Sequence, residues 1–449
     1  MTAPPAFDRR LYAPMVLGAV LNPINSSMIA VALVPIGIAF GADPAQTAWL
    51  VSGLYLVTAI GQPVVGRLID LFGPRRLYLA AATVAGLGGI VGTLAPSLGV
   101  LVAARVLIGI GTCAGFPAAM SLIRSEADRT GHESPAAVLT VLSVSAQTIA
   151  VIGPTLGGLL IGLGDWRAVF AVNVPLALAC LVLGSRHLPR ARPPADRPRA
   201  GLDLVGVALF ATVLVPLLLF LMDPHGAEWT LLGVATAAAI GFLVYERRTS
   251  DPFVDVRALA RNRPQVATYL RTVLAFVFAY AVLYGYSQWL QADRSLSPSA
   301  AGLVLLPMSL TAVGVALLTG RRPEVRGKLV VGALMQVAAT VMFLLLDATT
   351  PYWALLALSV LLGVPQGLLN LANQNALYHQ ADPAHLGSAA GLLRTSGYIG
   401  ALIAAAANGL FLGAGADTAG LHRLAGFLLA VAVVLLAVTV PDRSLRRTS

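Results

Sequence analysis

Apolar runs of about 20 residues, the length a helix needs to cross the hydrocarbon core of a bilayer, recur along the whole of this chain. They fall at 11–34, 47–68, 76–95, 98–123, 136–162, 166–185, 202–222, 228–246, 266–291, 299–319, 328–347, 352–377, 387–412 and 420–440. Fourteen such runs leave the chain few alternatives to an integral membrane protein. The alternating ten-residue segments of a membrane barrel are absent, so the runs read as helices, which satisfy their backbone groups internally. Composition agrees: 57% of the 449 residues are hydrophobic and 11% are charged, against roughly 25% charged in a soluble domain. The start, "MTAPPAFDRRLYAPMVL", has the basic-then-apolar look of a signal peptide. Its run is too long for one and many spans follow, so it reads as an uncleaved first helix.

A net charge of +10 raises the question of nucleic acid, and the distribution of that charge answers it. Arg105, Arg271 and Arg394 lie within spans, and Arg167, Arg294 and Arg423 lie near one face. The rest of the 30 Lys and Arg occupy the turns and tail of the other face, such as "GRLIDLFGPRR", "SRHLPRARPPADRPRAG" and "PDRSLRRTS". Opposite turns such as "GADPAQT" and "DATTPYW" are short and acidic or neutral. Under the positive-inside rule this puts both termini in the cytoplasm, in a multi-pass cell-membrane protein, with added affinity for anionic lipid. No nucleic-acid partner is expected. Cys113 and Cys180 lie in apolar spans and read as small buried hydrophobes, and neither a metal nor a cofactor is expected.

An internal repeat divides the chain. Gly66-Arg-Leu-Ile-Asp70-Leu-Phe-Gly73 after the second run has a partner after the tenth, Gly320-Arg-Arg-Pro-Glu324-Val-Arg-Gly327. "LIGIG" in the fourth run and "LLGVP" in the twelfth align on Gly109 and Gly363, at the same separation. Two parallel copies of six spans follow: an N-terminal bundle over 1–186 and a C-terminal bundle over 266–449. A linker with two additional spans, 187–265, lies between them. Repeats of this kind underlie alternating-access transporters.

"GRLIDLFGPRR" resembles the signature loop of the major facilitator superfamily, carried here by Gly66, Asp70, Gly73, Arg75 and Arg76. The resemblance implies a cytoplasmic latch between the two halves, and Gly66 is expected to permit close helix approach. One departure is Leu71, where the family usually has a basic residue. "RVLIGIGTCAG" resembles the superfamily's second motif. Its Arg105 sits about seven residues from the outer end, roughly 10 Å deep, and the resemblance links it to proton coupling. An arginine at that depth faces a cavity or a partner, or snorkels to the interface. "VIGPTLGG" matches the antiporter motif with Gly153, Pro154, Gly157 and Gly158, tied in the family to exporters; generic small-residue packing is the alternative. "DWRAVFAVNVP" and "SLSPSAAGLVLLP" resemble the fourteen-helix drug:proton antiporter branch. The implied fold is all-α: two six-helix bundles in pseudo-twofold relation plus two inserted helices.

Polar residues inside spans mark a candidate cavity. Asn22, Asn25 and Ser26 form one stripe at helical spacing, and Gln366, Asn370, Asn373 and Gln374 form another. Tyr280, Tyr284 and Gln288 recur at i+4 on the ninth run, as cavity wall or interfacial belt, and Gln147 adds a further amide. Such a neutral, amide-rich and aromatic site suits amphipathic organic molecules; interhelical hydrogen bonding is the competing use of each residue. None of the 20 Asp and Glu lies deep in a span. The antiporter branch usually has an acid near Asn25 or Ser26, and this chain does not. Arginine keeps its proton in proteins, so Arg105 alone cannot carry a coupled one.

The expectation is a monomeric secondary transporter exporting drug-like or metabolite molecules, with protons as the coupling ion. The rivals are an uncoupled facilitator and a non-transporting membrane scaffold or sensor. An intramembrane enzyme is disfavoured, because no nucleophile–base pair or His/Asp cluster sits at membrane depth.

Overall fold

Polar residues at the ends of the apolar runs set where helices begin. The Asp43 carboxylate accepts from the Gln46 N–H at 2.7 Å while the Gln46 side chain accepts from the Asp43 N–H at 3.1 Å, with Pro44 as the first helical residue. This reciprocal cap satisfies two otherwise orphaned donors. Ser97, Asn262 and Asp417 cap further helices with the one-way bond, their side chains accepting from the Val100, Gln265 and Gly420 N–H groups. Gly73 joins the second helix to the third at φ +86°, a left-handed backbone that favours glycine.

The computed structural model describes residues 8–130, 136–189, 203–222, 229–249, 252, 256–320, 324–381, 386–413 and 415–446. No strand occurs among the described residues. The long helices are α1 (Arg9–Val31), α2 (Pro44–Phe72), α3 (Pro74–Thr93), and α4, which runs Leu98–Thr112 and resumes as Gly115–Thr130. They continue as α5 (Ala136–Leu163), α6 (Ala168–His187), α7 (Leu204–Met222) and α8 (Trp229–Arg248). The last six are α9 (Arg263–Ala292), α10 (Pro298–Gly320), α11 (Val325–Leu344), α12 (Tyr352–Gln380), α13 (Leu386–Leu412) and α14 (Thr418–Thr439). A helix therefore occupies each expected run. Eleven helices among the described residues are long and apolar enough to cross a membrane. α2 carries Thr47, Ser52 and Thr58, all buried in the protein. The apolar stretches described within α5 and α7 are Ile152–Leu163 and Leu204–Phe220. Outward-facing Leu159, Val182, Leu310, Leu317 and Trp353 are all well exposed, as lipid-facing residues should be.

The two halves share one pattern of neighbours. α1 packs on α5, α2 on α4 and α3 on both α4 and α6; α9 packs on α13, α10 on α12 and α11 on both α12 and α14. The repeated glycines explain why. A Cβ on Gly109 would meet the Leu54 carbonyl, and one on Gly363 would overlap that of Met308. Small residues at matching positions let matching helix pairs close up. The halves meet through α2 against α13 and α5 against α10, again a symmetric pair of contacts. α7 and α8 pack on each other, and α7 leans on α2 and α13.

Ala45 and Ala48, at the start of α2, lie against Gly409 near the end of α13. The first and last described residues, Asp8 and Arg446, therefore sit at the opposite end of the molecule, the terminal end. The two ends are packed differently. Toward the loop end, one hydrophobic core joins the halves, with Met28, Leu33, Leu54 and Phe170 in the same cluster as Trp289, Leu305, Phe343 and Leu424. Toward the terminal end the cores are separate. One holds first-half residues such as Met15, Tyr78 and Leu122, and two others hold second-half residues such as Val325, Leu369 and Leu377.

The C-terminal segment is clasped to this end. Arg271 of α9 donates to Asp442 at 2.7 Å and to the Thr268 hydroxyl at 2.7 Å, and its side chain is fully buried. Ser444 donates its N–H and hydroxyl to the same carboxylate, and Gln380 of α12 donates to the Ser444 hydroxyl. Burial alone would raise the Asp442 carboxyl, but the bonds from Ser444 and Arg271 outweigh it and hold it below the usual carboxylate range. A carboxyl lowered on folding stabilises above its unfolded pKa of roughly 3.9 and loses that contribution as pH falls through the folded value. Asp442→Asn is therefore expected to cost about 3 kcal/mol, seen as a lower thermal midpoint at pH 7. The difference from wild type should shrink on acidification below about pH 4; a pH-independent difference would contradict the clasp.

Candidate functional site: the seam between the halves

α1 changes pitch in the stretch 22–31. It is α-helical through Met28 and turns 3-10 over Ile29–Val31, and Pro23 inside it has no N–H to give. Asn22 donates to the Thr112 hydroxyl of α4 at 3.1 Å. Asn25 donates to the Leu21 carbonyl at 2.9 Å and to Asn173 of α6 at 2.7 Å, and the Ser26 hydroxyl donates back to the Asn22 carbonyl. The side chains of Asn22 and Asn25 are spent on tying α1 to α4 and α6. Each such bond stabilises by about 1 kcal/mol net.

The carbonyls at the change of pitch accept from other helices. Arg105, only 1% exposed, donates Nη1 to the Asn25 carbonyl at 3.1 Å and Nε to the Leu50 carbonyl of α2 at 2.8 Å. It does not snorkel. Its Nη2 has no partner among the described residues. The Tyr284 hydroxyl of α9 donates to the Ser26 carbonyl at 2.9 Å, and Ser287 donates to the Ala30 carbonyl at 3.0 Å. Regular helix leaves carbonyls little spare capacity, whereas a change of pitch frees acceptors. Here they hold the second half against the first.

Aromatic residues continue this seam toward the terminal end. Tyr284 stacks on Tyr280 and shares a 3.0 Å hydroxyl bond with Tyr55 of α2. Tyr55 is edge-on to Tyr280 and 5.9 Å from the ring of Tyr398 on α13. Gln62 of α2 donates to the Tyr398 hydroxyl at 3.0 Å. One turn further along α13, the Arg394 guanidinium lies 3.3 Å over the ring of Phe116 on α4. Tyr280 and Tyr284 are thus seam residues, not an interfacial belt. Gln288 is buried nearby on α9.

At the loop end, glycine brings the halves together. A Cβ on Gly153 would overlap the Ser27 hydroxyl and one on Gly157 would press on the Met28 carbonyl, so both seat α5 on α1. Gly158 faces the Pro298 carbonyl of α10, while Gly302 faces that of Pro154. Ser299 donates to the Gly158 carbonyl at 2.7 Å and Thr155 to that of Gly302 at 3.1 Å. The antiporter-motif residues therefore lie where α5 meets both α1 and α10.

The remaining expectations distribute unevenly. On α12, Gln366 and Asn370 are half-buried and Gln374 is exposed, with Gln374 donating to Asn370 at 3.2 Å. Asn373 is 1% exposed, and both its side-chain atoms lack partners among the described residues. Arg75 donates to the Ser185 carbonyl at 2.7 Å, pinning the start of α3 to the end of α6, and Arg76 is exposed. Glu324 is exposed at the start of α11. A Cβ on Gly66 would meet nothing within 4 Å among the described residues, so no close helix approach is seen at it there. The side chains of Asp70 and Gln147 lie outside the described residues. Sequence reasoning missed Tyr55, Gln62, Phe116, Thr112 and Tyr398. The signal was modest: hydroxyl and amide tips scattered through otherwise apolar runs.

The Major Facilitator Superfamily profile matches this chain over residues 15–405 and 272–448. A lincomycin resistance protein of Streptomyces lincolnensis is 30% identical over 98% of this chain and 94% of its own length. The multidrug efflux pump LfrA of Mycolicibacterium smegmatis is 28% identical over 88% of this chain and 79% of its own. A solved structure of a variant of the peptide transporter POT superposes with a TM-score of 0.70 at 17% identity, covering 98% of this chain and 95% of that one. A variant of the nucleoside transporter NupG gives 0.68 at 11%, covering 96% and 100%; both likenesses speak to fold alone. The matched profile, the full-length relatives and the two-bundle architecture agree, and the chain belongs to the Major Facilitator Superfamily, as a multi-pass membrane transporter rather than an enzyme.

Proposed function

We propose that this chain is a fourteen-helix exporter of amphipathic, drug-like or metabolite molecules, working as a monomer by alternating access across the cell membrane. The observation that carries this reading is the difference between the two ends. One core seals the halves together at the loop end, while at the terminal end each half keeps its own core and polar and aromatic contacts such as Gln62–Tyr398 and Arg394–Phe116 cross between them. With the basic turns and both termini in the cytoplasm, this is the state that loads substrate from the cytoplasm. The Streptomyces lincolnensis relative and a puromycin resistance protein of Streptomyces alboniger, 30% identical over 85% of this chain, favour drug-like cargo. Asn22, Asn25, Ser26, Gln147, Tyr280, Tyr284, Gln288, Gln366, Asn370, Asn373 and Gln374 would line the path. Gly153, Pro154, Gly157 and Gly158 form the hinge surface, and Asp70 with Gly66, Gly73, Arg75, Arg76 and Glu324 forms the cytoplasmic latches.

The proton gradient drives export in this reading, through a carboxylate near a helix end that the rocking exposes to each side in turn. A second reading, downhill uniport, is favoured by one observation: every Asp and Glu among the described residues falls in a connecting segment or the last two turns of a helix. Two experiments follow. In everted vesicles loaded by this protein, a proton uncoupler should abolish uptake above the equilibrium level; uphill uptake that survives it would refute antiport, and uptake that only equilibrates marks a uniporter. Asp70→Asn should lower transport at least tenfold, while Asp347→Asn, in an exposed turn bonded only to Thr349 and Thr350 among the described residues, should stay within twofold. Equal losses would refute the latch.

A further inference from the structure

Three arginines lie inside the spans, and their neutralisation differs. Arg271 is paired with Asp442 at 2.7 Å. Arg105 is bonded to two backbone carbonyls, has an unpartnered Nη2, and meets no carboxylate among the described residues. Arg394 reaches across the seam from α13 to the ring of Phe116 on α4, and no ion pair engages it among the described residues. The tyrosine stack of Tyr284, Tyr55 and Tyr398 runs between these two cations: Tyr284 bonds the residue next to the Asn25 carbonyl that Arg105 holds, and Tyr398 sits one turn from Arg394. Every acid among the described residues is at a helix end or in a loop. Among the described residues, the middle of the seam therefore carries aromatic walls and two positive charges with no carboxylate to offset them.

We infer that this seam selects aromatic molecules bearing a carboxylate or similar anionic group and discriminates against organic cations. The ring would lie on the tyrosine stack and the anion would exchange the Phe116 face for a charge-assisted bond to Arg394, which is stronger than a neutral one. A cation in the same place meets two like charges in a region of low dielectric, where repulsion is poorly screened. The inference rests on the reading of the seam as the transport path. It also places specificity on Arg394 at the mouth of the path and on Arg105 at its sealed end.

Three probes of one shape separate charge from hydrophobicity: 2-naphthaleneacetate, 2-naphthaleneethanol and (2-naphthylethyl)trimethylammonium. Dissociation constants are to be measured by titration calorimetry on the full-length protein in lipid nanodiscs. The expected order is anion tightest, alcohol intermediate and cation weakest, with at least tenfold between anion and cation. Arg394→Gln should reduce the ratio of anion to alcohol affinity at least tenfold, and Arg394→Lys, which keeps the charge and controls for folding, should restore most of it. A cation that binds as tightly as the anion, or an Arg394→Gln variant with an unchanged ratio, overturns the inference. Failure of the exporter reading looks different: the probe order holds in nanodiscs, yet none of the probes moves across proteoliposome membranes.

Discussion

The carbonyls of Asn25, Ser26 and Ala30 are the acceptors on which the seam is built. They lie where α1 passes from α-helix to a 3-10 turn, and each receives a side chain from another helix: Arg105, Tyr284 and Ser287. Two of the three donors come from the opposite half of the molecule. The sequence provides this by placing Asn, Pro, Asn, Ser and Ser inside a membrane helix. The pitch tightens over Ile29–Val31, and the carbonyls beside that change accept from other helices. A polarity that looks out of place in an apolar run is the device that lets one helix hold a buried guanidinium and the second half at once.

The symmetry of the fold makes that contact reversible. α5 meets α10 and α2 meets α13 through glycine and alanine at the loop end, so these helix pairs approach closely on small residues. Within each half, the packing is helix pair for helix pair the same, which favours motion of each half as a body. Hydroxyl-to-carbonyl bonds across the seam are individually worth about 1 kcal/mol, and a few of them are a bias that a bound molecule or a moved proton can tip. A large set of buried ion pairs across the seam would not be.

Much of this was legible in the sequence, and for a physical reason. Span positions follow from the length an apolar helix needs in lipid, and the repeat follows from glycines that must recur wherever matching helix pairs close up; Gly109 and Gly363 are the clearest case. What pairs with what was not legible. That Asn25 bonds Asn173, or that Tyr55 meets Tyr284 from another half, depends on where helices far apart in sequence cross. Periodicity places a residue on a face but does not say what that face meets. For the same reason Arg105 read as facing a cavity or a partner with snorkelling as the alternative, and its bonds to Leu50 and Asn25 decide. Gly66 is the reverse case, a small residue expected to make a close contact that the described residues do not show.

The central claim is that the two ends open in alternation about this seam. Pulsed electron–electron distance measurement tests it directly, with spin labels on cysteines placed at exposed Gln46 and Ala419 at the loop end, and at exposed Arg76 and His379 at the terminal end. The native Cys113 and Cys180 are buried and should label slowly. On adding a transported molecule, the account predicts opposite shifts: the loop-end distance lengthens as the terminal-end distance shortens. Two distances that stay fixed, or that lengthen together, would contradict it.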